Sequence, residues 1–314
     1  MSDRKHIETL AIHSGSGHWS GSRAIASPME PSTTYEHDIQ GYQEGDFIYS
    51  RYENPNRLQL ENLLYELEGG EACAAFSSGV AALTAMFMSV PKGSHIIIPE
   101  DLYHGSRAIL ETYGDRWGIE YSSVDTTELE TFAAAIQSNT KLVLLETPSN
   151  PLLLITDLVK TIHHAHQNGI AVCVDNTFST PYNTRPIEYG ADFVMHSTSK
   201  FLGGHSDIIG GAIISAKADG NFEVIRSIQR KQGSVPSPFD CWLLIRSIRS
   251  FPHRMRIHNQ NAWEVAQFLN THPKIDNVNY PGLPNHANHQ VAASQMKGFG
   301  GMVSFLFDGD AKAT

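Results

Sequence analysis

The chain has 314 residues, 41% of them hydrophobic and 18% charged, which is enough apolar side chain to bury a core larger than that of one small domain. A formal net charge of −10 with scattered Lys and Arg gives no electrostatic basis for binding nucleic acid or an anionic membrane. Three widely spaced cysteines, Cys73, Cys173 and Cys241, form no C-x-x-C and argue against a disulfide framework and a zinc ribbon. The polar start, Met1 to Ser20, lacks a signal-peptide core, and no apolar run approaches the length of a membrane span, so the expected location is the cytoplasm.

Residues 1–57 show no strong periodicity but hold Pro28, Pro31 and the run Phe47-Ile-Tyr-Ser-Arg-Tyr-Glu-Asn-Pro55. They read as an extended arm, which without a core of its own must pack on something. From Leu58 the spacing of Leu58, Leu60, Leu63, Leu64 and Leu67 is helical, and Gly69-Gly70 ends that helix. Strand, turn and helix then alternate: 72–76 with 80–90, 95–99 with 103–113, 121–124 with 128–137, and 142–146 with 157–166. Apolar runs at 170–175, 193–196 and 212–215 add three strands. The alternation predicts an α/β domain with a mostly parallel sheet covered on both faces. Past Asn221 the pattern is helical, with Phe251-Pro252 breaking it before a helix over 253–269, and runs at 278–280 and 302–307 begin a smaller C-terminal domain.

Ligands of such sheets gather at the C-terminal ends of the strands. Five polar clusters fall there: Ser77-Ser-Gly79, Asp101-Leu-Tyr103, Glu146-Thr-Pro-Ser-Asn150, Asp175-Asn-Thr177 and Ser197-Thr-Ser-Lys200. Ser77-Ser-Gly79 precedes a helix whose first N–H groups and dipole attract a phosphate, although the same residues suit a simple capped helix. No G-x-G-x-x-G is present, and Lys200 lacks the glycine spacing of a P-loop. Asp175, flanked by Val174 and Phe178, is costly to bury unless a cation faces it, and a protonated pyridine nitrogen is such a cation; the alternative is an Asp that caps a turn through Asn176 and Thr177. A Schiff-base lysine and a carboxylate opposite a pyridinium are the two groups that pyridoxal phosphate chemistry requires. Tyr103 could stack on a flat cofactor and exchange a proton, or be an aromatic at a helix start. His163, His164 and His166 lie in the last turn of a helix, without metal-ligand spacing, and His286-x-x-His289 reads as solvated, so no metal site is expected.

Together, Tyr49-Ser-Arg51-x-x-Asn-Pro55, Phe76-Ser-Ser-Gly-Val-Ala-Ala82, Glu146-Thr-Pro-Ser-Asn-Pro151, Val174-Asp-Asn-Thr-Phe178 and His196-Ser-x-Ser-Lys200-x-x-x-Gly-His-Ser-Asp207 resemble the Cys/Met metabolism family of pyridoxal phosphate enzymes. The resemblance runs in order through nearly the whole chain. It implies a type I, aspartate aminotransferase-like transferase fold with an arm (1–57), a cofactor-binding large domain (58–252) and the start of a smaller, incomplete α+β domain (253–314). It further implies that Lys200 is the Schiff base and proton shuttle, that Asp175 pairs with the ring nitrogen, and that Tyr103 stacks on the ring and shares in catalysis. Gly79 and Val80 N–H groups with the Ser197 and Ser199 hydroxyls would hold the phosphate, and Asn150 would lie near the phenolic oxygen. Tyr49 and Arg51 would reach the phosphate of a neighbouring subunit, which makes a homodimer the active unit, commonly paired into a homotetramer.

The resemblance implies trans-sulfuration with sulfur amino acids and homoserine esters as substrates. Pro148-Ser-Asn-Pro-Leu-Leu153 and Lys297-Gly-Phe-Gly-Gly-Met302 look most like cystathionine γ-synthases, and Gly105 stands where methionine γ-lyases carry cysteine. Ile48, where some cystathionine-handling members have an acid, points the other way, so β- or γ-lyase and O-acetylhomoserine sulfhydrylase remain alternatives. Two further departures are Ser199 in place of threonine and His104 in place of glycine. The family's carboxylate-binding arginine and serine are expected beyond Thr314. A second class of reading is therefore a truncated, cofactor-binding but inactive oligomerisation partner.

Overall fold

A computed structural model describes residues 5–15, 24–36, 39, 41 and 46–309. The start at 1–4, parts of the expected arm (16–23, 37–38, 40 and 42–45) and the end at 310–314 lie outside the described residues. The strands β1 (Ala72–Phe76), β2 (His95–Pro99), β3 (Glu120–Val124), β4 (Thr140–Glu146), β5 (Ala171–Asp175), β6 (Phe193–His196) and β7 (Gly211–Ser215) form a mixed sheet in the order β1-β7-β6-β5-β4-β2-β3. Pairs β2–β3, β2–β4 and β4–β5 are parallel, and β1–β7 is antiparallel. The fold is therefore α/β with a mostly parallel sheet. Two compact units divide the chain, residues 1–89 with 195–252 and residues 90–194 with 253–314.

In the first unit, α1 (Ile7–His13) and α2 (Pro55–Glu68) precede β1, and α3 (Gly79–Met88) follows it. The Asn54 side chain accepts the N–H groups of Asn56 and Arg57, Pro55 opens α2, and Gly69 closes it at φ 80°, so cap, first turn and end all come from the local sequence. Leu60, Leu63, Leu64 and Leu67 are buried, each stabilising the unit by about 1.5–3 kcal/mol. Glu61 on the same helix is buried too. It takes Arg226 Nη1 of α8 (Gly220–Gln232) at 2.8 Å on both oxygens and accepts the Ala75 N–H of β1. The arm differs from its sequence reading. Ile7–His13 is a helix, too short and too sparsely apolar to show a period, with only Ala11 buried. The arm packs on its own unit: Ser14 Oγ donates to Glu66, Asn56 Nδ2 to the Pro28 carbonyl, and Trp242 Nε1 of α9 (Pro238–Ile248) to the Ser27 carbonyl.

In the second unit every residue of β2 is buried, and Val143, Leu145, Val172 and Val174 of β4 and β5 pack with Leu158 and Ile162 of α6 (Leu158–Gln167). The helices α4 (His104–Trp117) and α5 (Leu129–Ala134) join β2 to β3 and β3 to β4. A short helix α7 (Thr180–Asn183) follows β5, and α10 (Phe251–Asn270) carries Pro252 in its first turn, as the sequence break predicts. Beyond α10, β8 (Ile275–Asn279) and β9 (Ser304–Phe307) pair antiparallel, with α11 (His289–Gln295) between them in the chain. His286 and His289 are not solvated as expected. They are half-buried against the Leu153 carbonyl (3.2 Å) and the Pro281 carbonyl (2.8 Å), because the irregular backbone there needs partners for its carbonyls. All three cysteines are buried, Cys241 as well as the two in apolar runs.

Candidate active site

Both units carry residues singled out by sequence, at the ends of strands and the starts of helices. In the first unit β6 ends at His196, whose Nε2 lies 2.5 Å from Glu68 Oε1, both side chains buried. Ser197 to Gly204 then form a tight turn: the Lys200, Gly203 and Gly204 N–H groups donate to the carbonyls of Ser197, Thr198 and Lys200. The turn is tied to the start of β7 by Thr198 N–H on the Gly210 carbonyl (3.0 Å) and by Gly210 N–H on Ser199 Oγ (3.0 Å). Lys200 sits on this turn with its side chain exposed.

The start of α3 faces Ser197. Ser78 caps the helix, its Oγ accepting the Ala81 N–H and its carbonyl the Ala82 N–H. Gly79 and Val80 head the helix, where the N–H groups have no acceptor within it. A methyl group on Gly79 would stand 3.0 Å from Ser197 Cβ and 3.2 Å from its Oγ. Gly79 is thus buried tightly beside a hydroxyl, next to the helix N-terminus; glycine, serine hydroxyl and free N–H groups are the donor set that a phosphate requires. The capped-helix reading holds at the Ala81 and Ala82 N–H groups, and it uses neither the Gly79 nor the Val80 N–H.

The other two expected phosphate contacts lie on the arm of this unit. Tyr49 pairs with Thr34 in an isolated antiparallel bridge and is 39% exposed. Arg51 donates from Nη1 to the Arg230 carbonyl at 2.6 Å and stacks its guanidinium 4.5 Å from the Tyr52 ring centre. Arg51 is therefore held by the last turn of α8, where carbonyls and helix dipole favour a cation.

In the second unit the structure brings Tyr103, Glu146, Asp175 and Asp101 together. Glu146 and Asp175 end β4 and β5 as direct register partners, and both are buried. Asp175 Oδ1 accepts the Thr177 N–H at 3.0 Å, so the turn-capping role occupies at least one oxygen. Glu146 accepts the Tyr103 N–H on both oxygens, at 3.0 and 3.3 Å. Burial pushes the Glu146 pKa well above the ordinary carboxyl range, and the Asp175 and Asp101 charges push the same way, against the Tyr103 and Asn150 backbone N–H groups. Tyr103 is 45% exposed, its ring lying over Gly105, where a methyl group would come within 2.3 Å of it. Asn150 is half-buried between Ser149, whose hydroxyl donates to Asp101, and Pro151. Asp101, Asp125, Glu146 and Thr126 border a cavity of about 250 Å³ at the ends of β2, β3 and β4, a hollow whose acids would repel a phosphate. The candidate phosphate donors at α3 and Ser197 lie in the first unit.

Sequence reasoning quoted Glu146 in a motif but gave it no task, and it missed the Glu68–His196 pair. An acid that continues the buried run Leu142-Val-Leu-Leu145 is the signal that could have marked Glu146.

The family model for Cys/Met metabolism PLP-dependent enzymes matches residues 8–314. The chain is similar to a probable cystathionine γ-synthase of Herpetosiphon aurantiacus, 41% identical over 97% of this chain and 95% of the relative. It is 43% identical to a cystathionine γ-lyase of Bacillus subtilis, over 95% of this chain and 78% of the relative. Among solved structures, cystathionine γ-synthase of Xanthomonas oryzae in complex with aminoacrylate and cysteine superposes with a TM-score of 0.94 at 36% identity, covering 98% of this chain and 80% of that one. The phosphate-type donor set at α3 and the paired strand-end acids suit the group that this family uses; the chain belongs to the Cys/Met metabolism PLP-dependent enzyme family, a family of trans-sulfuration enzymes with pyridoxal phosphate as cofactor.

Proposed function

We propose that the protein is a cytoplasmic cystathionine γ-synthase that joins an O-acylhomoserine to cysteine by γ-replacement. The observation that carries this reading is the similarity to a probable γ-synthase over 95% of that relative's length. A γ-lyase reading stands second, favoured by the slightly higher identity to the Bacillus subtilis enzyme over less of its length. Bound pyridoxal phosphate supplies an electron sink for negative charge developing beside the substrate amino group. On this reading Asp175 would hold the ring nitrogen protonated, Tyr103 would stack on the ring, and Asn150 would lie near the phenolic oxygen. Gly79 and Val80 N–H groups with the Ser197 and Ser199 hydroxyls grip the phosphate, completed by Tyr49 and Arg51 of a neighbouring subunit in a homodimer or homotetramer. Lys200 Nζ would anchor the cofactor and, once released by the substrate amino group, would take up the proton from Cα. The partition into an arm (1–57), a cofactor domain (58–252) and a third part from 253 is proposed with it.

Steady-state turnover of O-acylhomoserine with cysteine, compared with turnover of cystathionine alone, tests the assignment. The synthase predicts a higher kcat/KM for the first pair, and faster turnover of cystathionine would make the enzyme a lyase. Lys200→Ala should retain weak cofactor binding but lose the linkage that borohydride fixes in the wild type.

A further inference from the structure

We propose that Glu146 is a positioning residue of the active site, which places the Tyr103 ring by holding the Tyr103 backbone N–H from the end of β4. The inference rests on the reading of Tyr103 as a cofactor contact. Three observations support it. Helix α4 has fourteen residues and starts at Tyr103 without any side-chain cap of its own, since a tyrosine has no oxygen near enough to its own backbone. The Glu146 carboxyl instead holds the N–H of the N-cap residue itself from another element, 43 residues on, as the glutamate of a capping box does, and it does so with both oxygens. The ring that follows this anchored backbone lies over Gly105 with no room for a further carbon, so its place depends on the backbone beneath it. Backbone and ring are thus each held, while Tyr103 as a whole stays 45% exposed.

The carboxyl does not need its charge for this task. It is buried beside Asp175 on β5 and close to Asp101, two acids that favour its neutral form, and a neutral carbonyl oxygen accepts an N–H as well. Glu146→Gln retains such an oxygen, whereas Glu146→Ala removes it.

The test is a double-mutant cycle on the full chain, with pyridoxal phosphate affinity of the apoprotein read by equilibrium fluorescence titration. Glu146→Ala and Tyr103→Ala should each weaken binding about tenfold, the double variant should be no weaker than Tyr103→Ala alone, and Glu146→Gln should stay within about threefold of wild type. Thermal unfolding establishes that each variant is folded. If the double variant loses the product of the single effects, about a hundredfold, Glu146 acts independently of Tyr103 and the proposal is overturned. A failure of Glu146→Gln to restore affinity overturns it as well. If Tyr103→Ala leaves affinity unchanged, the failure lies in the reading of Tyr103 as a cofactor contact, and the proposal falls with its premise.

Discussion

At Gly79 the site tolerates a hydrogen and nothing larger without movement of Ser197. Gly79→Ala should push Ser197 aside at a cost of about 1–3 kcal/mol, weakening cofactor binding more than it lowers the unfolding temperature; titration of the apoprotein beside a thermal melt separates the two. Glu146 makes a second prediction through its proton. Its folded pKa is raised, so its contribution to stability is full below the ordinary carboxyl range and is lost as pH rises through the folded value. Unfolding temperatures of wild type and Glu146→Gln, measured against pH, should therefore diverge in favour of the variant as pH climbs above that range. The role of Glu146 was hidden from the sequence because its partner is a backbone N–H, which has no letter. Lys200, Asp175 and Tyr103 stand out in the sequence as a lysine after a strand, an acid among apolar neighbours and an aromatic at a helix start, and it is the resemblance that gives them their proposed roles.

Among the elements, α2 joins its unit through one buried acid. Desolvation raises the Glu61 pKa, but the guanidiniums of Arg226 and Arg57 outweigh it and leave the carboxyl below its ordinary value. This sign is opposite to that of Glu146: stability is present above the ordinary range and lost as pH falls through the depressed value. Glu61→Ala would leave the guanidiniums of Arg57 and Arg226 without their shared carboxylate, and should destabilise the protein by about 3–5 kcal/mol in urea unfolding, with Glu61→Gln milder. The strands β2 and β6 and the helix α6 were read nearly to the residue, since continuous burial and a clean helical face leave a strong pattern. Helices α1 and α7 escaped. Seven and four residues are too few to show a period, and neither helix has a side-chain cap at its start, so both depend on their surroundings instead of on local signals.

For the molecule as a whole, the proposed sharing of sites between subunits can be tested by mixing. Lys200→Ala and Arg51→Ala proteins, each inactive alone, should regain about a quarter of wild-type turnover after subunit exchange if Arg51 serves a neighbour's site, and none if it serves its own. The α/β class and the order of the strands along the chain were legible because apolar runs and helical faces alternate. The antiparallel pairing of β1 with β7 was not, since strands so distant in the chain leave no local trace of their partnership. That pairing also bears on how the protein is made. β1 leaves the ribosome about 140 residues before β7, which at ordinary rates of translation is roughly 7 to 30 s. During that interval Ala72–Phe76 and the apolar helix Gly79–Met88 emerge without their partner strand. The nascent protein is therefore a natural client for chaperones that shield apolar segments, and synthesis faster than that shielding would send it into aggregates before its active site could assemble.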